Sequence, residues 1–446
     1  MKKIITLFLV AMMCLSAFVA CAAPAGEGEA TPAPVESQPP ADTQTPVEPA
    51  APVELNVVTS YGGDDGNRAN YEAGIAAYEA ATGNTVLDGS ATSNEEWKAK
   101  VMTDFETGTE PDVLFYFCGI DANKIVEANK VVSLEEIRAE YPDYASNMKD
   151  SMIPASPVDG KQYAIPVNGY WEGMFVNKTV LAAAGVAVPG ADYTWDQFLA
   201  DCEKIKAAGF TPVAVSLQEV PHYWFEYTVL NNGNLANHLE VPAAADDAVA
   251  TKWANGLADI TELYTKGYLP ANTLTATDAE TCQLMIDGTA AFLIDGSWKV
   301  GFFTTNAPDH IDDYTVTFVP GKGERVATEV ISGISMGYYI TRKAWDDPAK
   351  REAAVKFVEM MTSDEIVSTF GATAVTALKN GATPPVDADS LTLAAIETNK
   401  AVTGFVGAVQ DNLSPEARSD LLVTNVKNIV TGGMTAQEAL ASMLTK

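Results

Sequence analysis

The stretch Asp112-Val113-Leu114-Phe115-Tyr116-Phe117-Cys118 opens on an acid and then runs through six apolar or aromatic side chains without a polar break. Such a run reads as a strand buried on both faces, and a two-sided strand belongs in a sheet covered by helices on each side. Working upstream, Leu55-Asn56-Val57-Val58-Thr59 predicts another strand, ended by Tyr61-Gly62-Gly63-Asp64-Asp65-Gly66. Between the two lie a helical stripe of Tyr71, Ile75, Tyr78 and Thr82 stopped by Gly83, and a helix with Trp97, Val101 and Phe105 at four-residue spacing that ends near Gly108. Strand and helix in alternation predict an α/β fold with largely parallel pairing.

Downstream the rhythm continues. Ser133-Leu134-Glu135-Glu136 and Thr194-Trp195-Asp196-Gln197 both read as capping boxes, in which a hydroxyl and a carboxylate or amide satisfy free N–H groups at a helix start. The second opens a helix with Trp195, Phe198, Leu199, Cys202 and Ile205 inward; Gly209 closes it, and Thr211–Leu217 predicts the next strand. Gly288–Phe303, GTAAFLIDGSWKVGFF, predicts a buried strand over Ala290–Ile294 followed by Asp295-Gly296-Ser297-Trp298. Pro348 opens a helix with Ala354, Phe357, Val358 and Met361 on one face, and the chain from about Pro385 is mostly helical by pattern.

Composition narrows the function. Of 446 residues, 59 are acidic and 28 basic, a net charge of −31, which repels nucleic acid and anionic headgroups. Nucleic-acid binding and electrostatic membrane docking are excluded; neutral or cationic small ligands stay open. At the N-terminus Lys2 and Lys3 precede an uncharged, mostly apolar run, Ile4–Ala20, and then Cys21. This is a signal peptide, too short and wrongly flanked for a membrane span. Phe18-Val19-Ala20-Cys21 resembles a bacterial lipobox, although leucine is usual where Phe18 stands; the resemblance implies that Cys21 is lipidated and becomes the mature N-terminus. Plain secretion with cleavage elsewhere is the blander alternative. Residues 22–52 hold eight prolines and, beyond Val35 and Val47, no large aliphatic side chain, so residues 21–53 read as an extended tether reaching on the order of 90 Å. Cys118, Cys202 and Cys282 sit in apolar contexts without a CxxC pair and are expected to be free structural thiols.

Catalytic motifs are missing. His222, His238 and His310 form no metal-binding spacing, no G-x-S-x-G elbow is present, and Gly321-Lys322-Gly323 is not a P-loop. Asp64-Asp65-Gly66 lacks the later ligands of a calcium loop. No catalytic residue, metal or cofactor is expected. The positive signal is aromatic: Tyr61 and Tyr116 at strand ends, Tyr170-Trp171-Glu172 after Pro166, His222-Tyr223-Trp224-Phe225-Glu226 after the strand ending near Leu217, and Trp298 after Ile294. Any one of these is more simply a core residue. As a group at carboxyl ends of strands, where open α/β sheets bind ligands, they suit a neutral polyhydroxylated molecule, rings covering C–H patches while carboxylates take hydroxyls.

In order along the chain, several segments resemble the extracellular solute-binding proteins of ABC sugar importers, the maltose-binding-protein-like group. They are Ala77–Val86, Thr107–Leu114 (its G-x-x-P-D-V), Asp159–Pro166 (D-G-K-x-Y-x-x-P), Val176-Asn177-Lys178 with Tyr193–Asp196, and Asp287–Trp298 (G-x-A-A-M…G-x-W). The resemblance implies a two-lobed periplasmic-binding-protein-like fold of type II, its lobes joined by crossover hinge strands. It implies lobe one over 54–166 plus 328–376 and lobe two over 167–327 plus 377–446. Trp298 would stack on a sugar; Tyr116, Asp64 and Asp65 occupy ligand-facing positions of the pattern, and Tyr170, Trp171 and Glu172 follow the crossover. Tyr61, Trp224 and Glu226 join the candidate site by their place at strand ends.

The expected function is capture of a carbohydrate between two lobes and its delivery to an ABC importer permease. The receptor would be an extracytoplasmic monomer held to the membrane only by its N-terminal lipid. Three alternatives stand beside it: a surface-anchored glycoside hydrolase or lyase, an adhesion module with a broad aromatic patch, and a binder of another polar solute such as a peptide or polyamine.

Overall fold

A computed structural model describes residues 51–446 except Asp64; the signal peptide, Cys21 and nearly all of the tether lie outside the described residues. Eleven strands fall among them. In chain order they are β1 Glu54–Val58, β2 Thr85–Asp88, β3 Val113–Phe117, β4 Ala164–Ile165, β5 Tyr170–Asn177, β6 Thr211–Val213, β7 Ala290–Gly296, β8 Tyr314–Thr317, β9 Glu329–Gly333, β10 Met336–Ile340 and β11 Gly404–Val406. They form two sheets, one ordered β2-β1-β3-β10-β4, the other β11-β9-β5-β7-β6 with β8 also paired to β5.

β3 behaves as its composition requires. It lies between β1, parallel, and β10, antiparallel, and buries both faces. Val113 and Phe115 pack with Tyr71, Tyr78 and Phe357 on one side, Leu114 and Tyr116 with Trp97, Val101 and Phe105 on the other. The second sheet is built the same way around β5. Met174 and Val176 meet Phe198, Trp224 and Leu257 on one face, while Trp171 and Phe175 meet Phe303, Met285 and Leu391 on the other. Each sheet with its two helical layers is one lobe, and the chain passes between them after β4, after β9 and again between Leu378 and Leu391.

Local signals hold in most places. Thr194 and Gln197 form a reciprocal capping box. Ser133 caps its helix by accepting from the Glu136 N–H at 3.2 Å, but the Glu136 carboxylate turns to Arg342 at 2.8 Å, so that box is half made. Cys118, Cys202 and Cys282 are free. The lobe boundaries need correcting. Residues 329–333, assigned from the sequence to lobe one, are β9 and pair with β5 and β11 of the second sheet. Ala377 and Leu378, assigned to lobe two, are buried in the first lobe's core. The apolar run from Val330 to Ile340 suits either sheet, so hydrophobicity does not mark the crossing; the switch falls at Gly333–Ser335, where Ser335 C=O accepts from the Cys118 N–H.

The lobes are closed on each other. A Cβ placed on Gly66, in the loop after β1, would stand 2.5 Å from the Trp298 carbonyl oxygen, and one on Gly301 would stand 2.4 Å from the Gly66 oxygen. Two backbones meet there with room for no side chain, a close approach that glycine permits. Elsewhere on the same junction Arg418 of lobe two pairs with Asp121 of lobe one at 2.7 Å, its side chain 5% exposed.

Candidate ligand-binding site

Trp298 stands just past the end of β7, and Gly296 lets it lie there. A Cβ on Gly296 would fall 2.1–2.4 Å from the six-membered ring of the indole, so the ring is folded back over the last residue of the strand. Gly296 pairs with Glu172 across the antiparallel β5–β7 ladder. Directly opposed residues of such a ladder project to one face about 5 Å apart, which sets the Glu172 carboxyl beside the indole. Tyr170, two residues earlier on β5, shares that face; its ring centroid is 6.2 Å from that of Trp298 at 51°. From the helix His222–Asn231, Tyr223 comes to 6.1 Å at 49°. Neither ring stacks on the indole. They flank it and leave it half-buried at the junction of the lobes, next to Gly66.

Tyr170, Tyr223, His222, Asp65 and Asp411 keep some solvent contact yet are enclosed by protein on most sides. That combination belongs to the floor of a narrow crevice. Titrating groups register it. Burial pushes the Glu172 carboxyl well above the carboxylate range, helped by Glu226, Asp295 and Asp411. Burial carries Asp295 to about 7 against the pull of Lys299. It carries Asp411 to about 7 with Glu226 adding to the rise, and Asp65 to about 6. The His222 imidazole is pushed down to about 3, by burial first and Lys98 second.

Several predicted site residues belong to the core instead. Tyr61 is 4% exposed, its ring stacked on Phe115 at 4.7 Å and touching Tyr71 and Phe370. Tyr116 packs against Trp97 and Phe117. Trp171 points to the opposite face of β5 from Tyr170 and Glu172, as alternation demands, and donates its indole N–H to Thr373 C=O at 2.7 Å. Trp224 is packed among Trp195 and Phe198. Glu226 is fully buried and accepts from the Val409 and Gln410 N–H groups while pairing with His238 Nε2 at 2.8 Å. Trp224 and Glu226 lie on the helix His222–Asn231 rather than in a strand-end loop, and that helix is buried at every residue from Trp224 to Asn231; Pro221 just before it is the available signal. Asp64 lies outside the described residues. Trp298, Tyr170, Glu172 and Asp65 come together; Tyr223, part of the aromatic stretch 222–226 from which only Trp224 and Glu226 are chosen as site residues, joins them, and Lys299 and Asp411 join them unpredicted.

A cation could be imagined at Asp278, Cys282 and Asp295, whose ligand atoms lie within 4.8 Å of one another. Lys299 Nζ already lies 2.8 Å from Asp278 and 3.5 Å from Asp295, so an ammonium group neutralises that spot. A surface hollow of about 560 Å³ on lobe one, lined by Leu134, Arg138 and Gln162 among others, shares no residue with the aromatic group.

With this geometry in place, comparison with known proteins fixes the class. Residues 64–367 match the family of bacterial extracellular solute-binding proteins, and the chain belongs to that family. A putative binding protein of Brucella abortus is 25% identical over 182 residues, 39% of this chain and 43% of that protein. An uncharacterized ABC transporter extracellular-binding protein of Pyrococcus horikoshii is 23% identical over 222 residues, 48% of each. The chain thus spans about half the length of the curated relatives it matches. Among solved structures, a chitin oligosaccharide binding protein superposes with a TM-score of 0.77 at 21% identity, covering 89% of this chain and 98% of that one. A structure from work on xylan utilization by Caldanaerobius polysaccharolyticus gives 0.75 at 19%, covering 88% and 99%. The maltose/maltodextrin-binding domain of Bdellovibrio bacteriovorus, bound to maltotriose, gives 0.67 at 17%, covering 88% and 98%. At these identities the likeness establishes the two-lobed fold.

The raised carboxyls set a pH dependence. Unfolded acids ionise near pH 4, whereas Asp65, Asp295 and Asp411 hold protons to about 6 or 7. Across that window the folded state binds more protons than the unfolded one, so stability falls as pH rises, by at most about 1.4 kcal/mol per pH unit for each group. The melting temperature of the ligand-free protein is therefore expected to rise between about pH 7.5 and about pH 5, and Asp411→Asn or Glu172→Gln to flatten that rise. A melting temperature level or falling over the same interval would contradict the buried state of these acids.

Proposed function

We propose that this chain is a lipid-anchored extracytoplasmic receptor that captures a carbohydrate between its lobes and delivers it to the membrane permease of an ABC importer. One observation carries the reading: an indole folded back over the end of a strand and half-buried between two tilted phenol rings, at the place where the lobes meet. A pyranose ring has apolar C–H faces and a hydroxyl rim, and it matches an aromatic platform edged with carboxylates. Trp298 is the platform, Tyr170 and Tyr223 its flanks, and Glu172 and Asp65 take hydroxyls. Structural relatives named for chitin oligosaccharides and for maltotriose support the same class of ligand. Closure follows from differential affinity: the ligand touches both lobes only when they are shut, so binding shifts the population toward the shut form. In this reading the permease recognises the closed monomer, and residues 21–53 keep it within reach of the membrane.

A thermal-shift screen against mono- and oligosaccharides tests the capture step. A sugar that binds only the folded form at a hundredfold excess over its Kd adds about 2.7 kcal/mol of stability and raises the melting temperature. Trp298→Ala is expected to weaken binding of that sugar roughly tenfold to a hundredfold, from the ~1.5–3 kcal/mol that burying such a side chain contributes. A full shift retained by Trp298→Ala would remove the indole from the site. For the anchor, Cys21→Ser is expected to move the protein from the detergent phase to the aqueous phase in a cloud-point partition. A variant that stays with the detergent would contradict lipidation at Cys21.

A further inference from the structure

Glu172 is 2% exposed, yet its Oε2 has no hydrogen-bond partner and its carboxyl enters no ion pair among the described residues. A buried carboxyl without a donor is costly whether or not it is protonated, and one placed at the rim of a crevice is explained if the missing partner arrives with the ligand. The groups facing it are acids and phenols. Glu226 and Tyr227 approach from the helix His222–Asn231, with Tyr223 one turn earlier; Asp295 approaches from β7, Asp411 from the turn Val409–Asn412, and Tyr170 from β5 itself.

Nearby cations are already engaged. Lys299 is held by Asp278 and Asp295, Arg418 by Asp121 at 2.7 Å, and Lys98 by Glu95 at 3.0 Å. Glu226 spends its two oxygens on His238 and two backbone N–H groups. Glu172 and Asp411 are thus the crevice acids whose carboxyls meet neither a cation nor a hydrogen-bond donor among the described residues; Glu172 is the more deeply buried of the two, and it lies beside aromatic rings of a kind that attract cations.

We infer that the captured solute carries a protonated amine, seated against Glu172 beside Trp298, so that the ligand is an amino sugar with a free amine. The inference rests on the carbohydrate reading for the ring and adds the charge. A neutral hydroxyl could also donate to Glu172; an ammonium supplies the donor and, in addition, a charge that offsets the carboxylate it meets. Before the ligand arrives, burial and the neighbouring acids disfavour the ionised form of Glu172. The ammonium favours the carboxylate, so binding shifts Glu172 toward ionisation and releases protons to solvent.

The test is titration calorimetry of the intact mature protein near neutral pH with four probes: glucosamine oligomers, their N-acetylated forms, glucose oligomers of the same linkage, and spermidine. Runs in two buffers of different ionisation enthalpy count the protons released. The expected result is that glucosamine oligomers bind at least about tenfold tighter than glucose oligomers, the equivalent of one charge-assisted hydrogen bond, with proton release seen only for the amine. In Glu172→Gln the preference and the proton release are both expected to vanish, so that glucosamine and glucose oligomers bind alike. The wild-type comparison stands even if that variant folds poorly. Equal or tighter binding of the acetylated or glucose oligomers would overturn the amine and leave the carbohydrate reading standing. Spermidine bound in place of every sugar would uphold the amine and overturn the carbohydrate reading. No response to any probe would overturn both.

Discussion

The contact on which the site depends is the indole of Trp298 lying across the bare Cα of Gly296. Any side chain at 296 would occupy the ring's place, and the tryptophan would be driven off the strand end. Because Gly296 is paired with Glu172, that one contact also fixes which carboxyl stands next to the ring. Because the next turn of chain carries Gly301 against Gly66, it fixes where the second lobe touches the first. Platform, acid and closure contact are therefore set by about six residues of one strand-to-helix turn. The rest of the fold holds that turn in place: β7 is buried along its whole length between β5 and β6, and strands so enclosed move as part of a rigid lobe.

Closure carries an electrostatic cost that the composition foreshadows. With a net charge of −31, bringing two lobes together confines acids of one against acids of the other. The protein answers in two ways. Some acids are neutralised by committed cations, as Asp121 is by Arg418. Others, Asp411 and Glu172 among them, keep their protons to higher pH because burial disfavours the charge. A crevice lined this way is poised to respond to any ligand that changes the balance of charge inside it.

Much of the fold was legible in the sequence, and the site was legible only in part, for one physical reason. Two-sided strands such as Val113–Phe117 and capped helices such as Trp195–Ala207 declare themselves through local composition. The order of strand, helix and family-like segments then implied two lobes. Exposure is not local. Tyr61, Tyr116, Trp171 and Trp298 all sit at or near strand ends, and nothing in their immediate neighbours says that three are sealed by tertiary packing while the fourth is left half-open. Strand alternation alone separates Trp171 from Tyr170 and Glu172 once β5 is known to start at Tyr170. Trp224 and Glu226 could have been turned inward by reading Pro221 as a helix start. Asp411, far along the chain, joins the crevice only through the fold, and no spacing points to it. The crossing at Gly333–Ser335 was missed because the flanking runs are equally apolar on both sides.

The central claim is that a solute ring rests on Trp298 between the closed lobes. A crystal structure of the protein with its best-binding oligosaccharide tests this most directly. The account predicts a pyranose ring lying flat on the indole, with Tyr170 and Tyr223 at its edges and the Glu172 carboxyl within hydrogen-bonding reach. A ligand held elsewhere, with the indole still bare beside those two phenols, would contradict it.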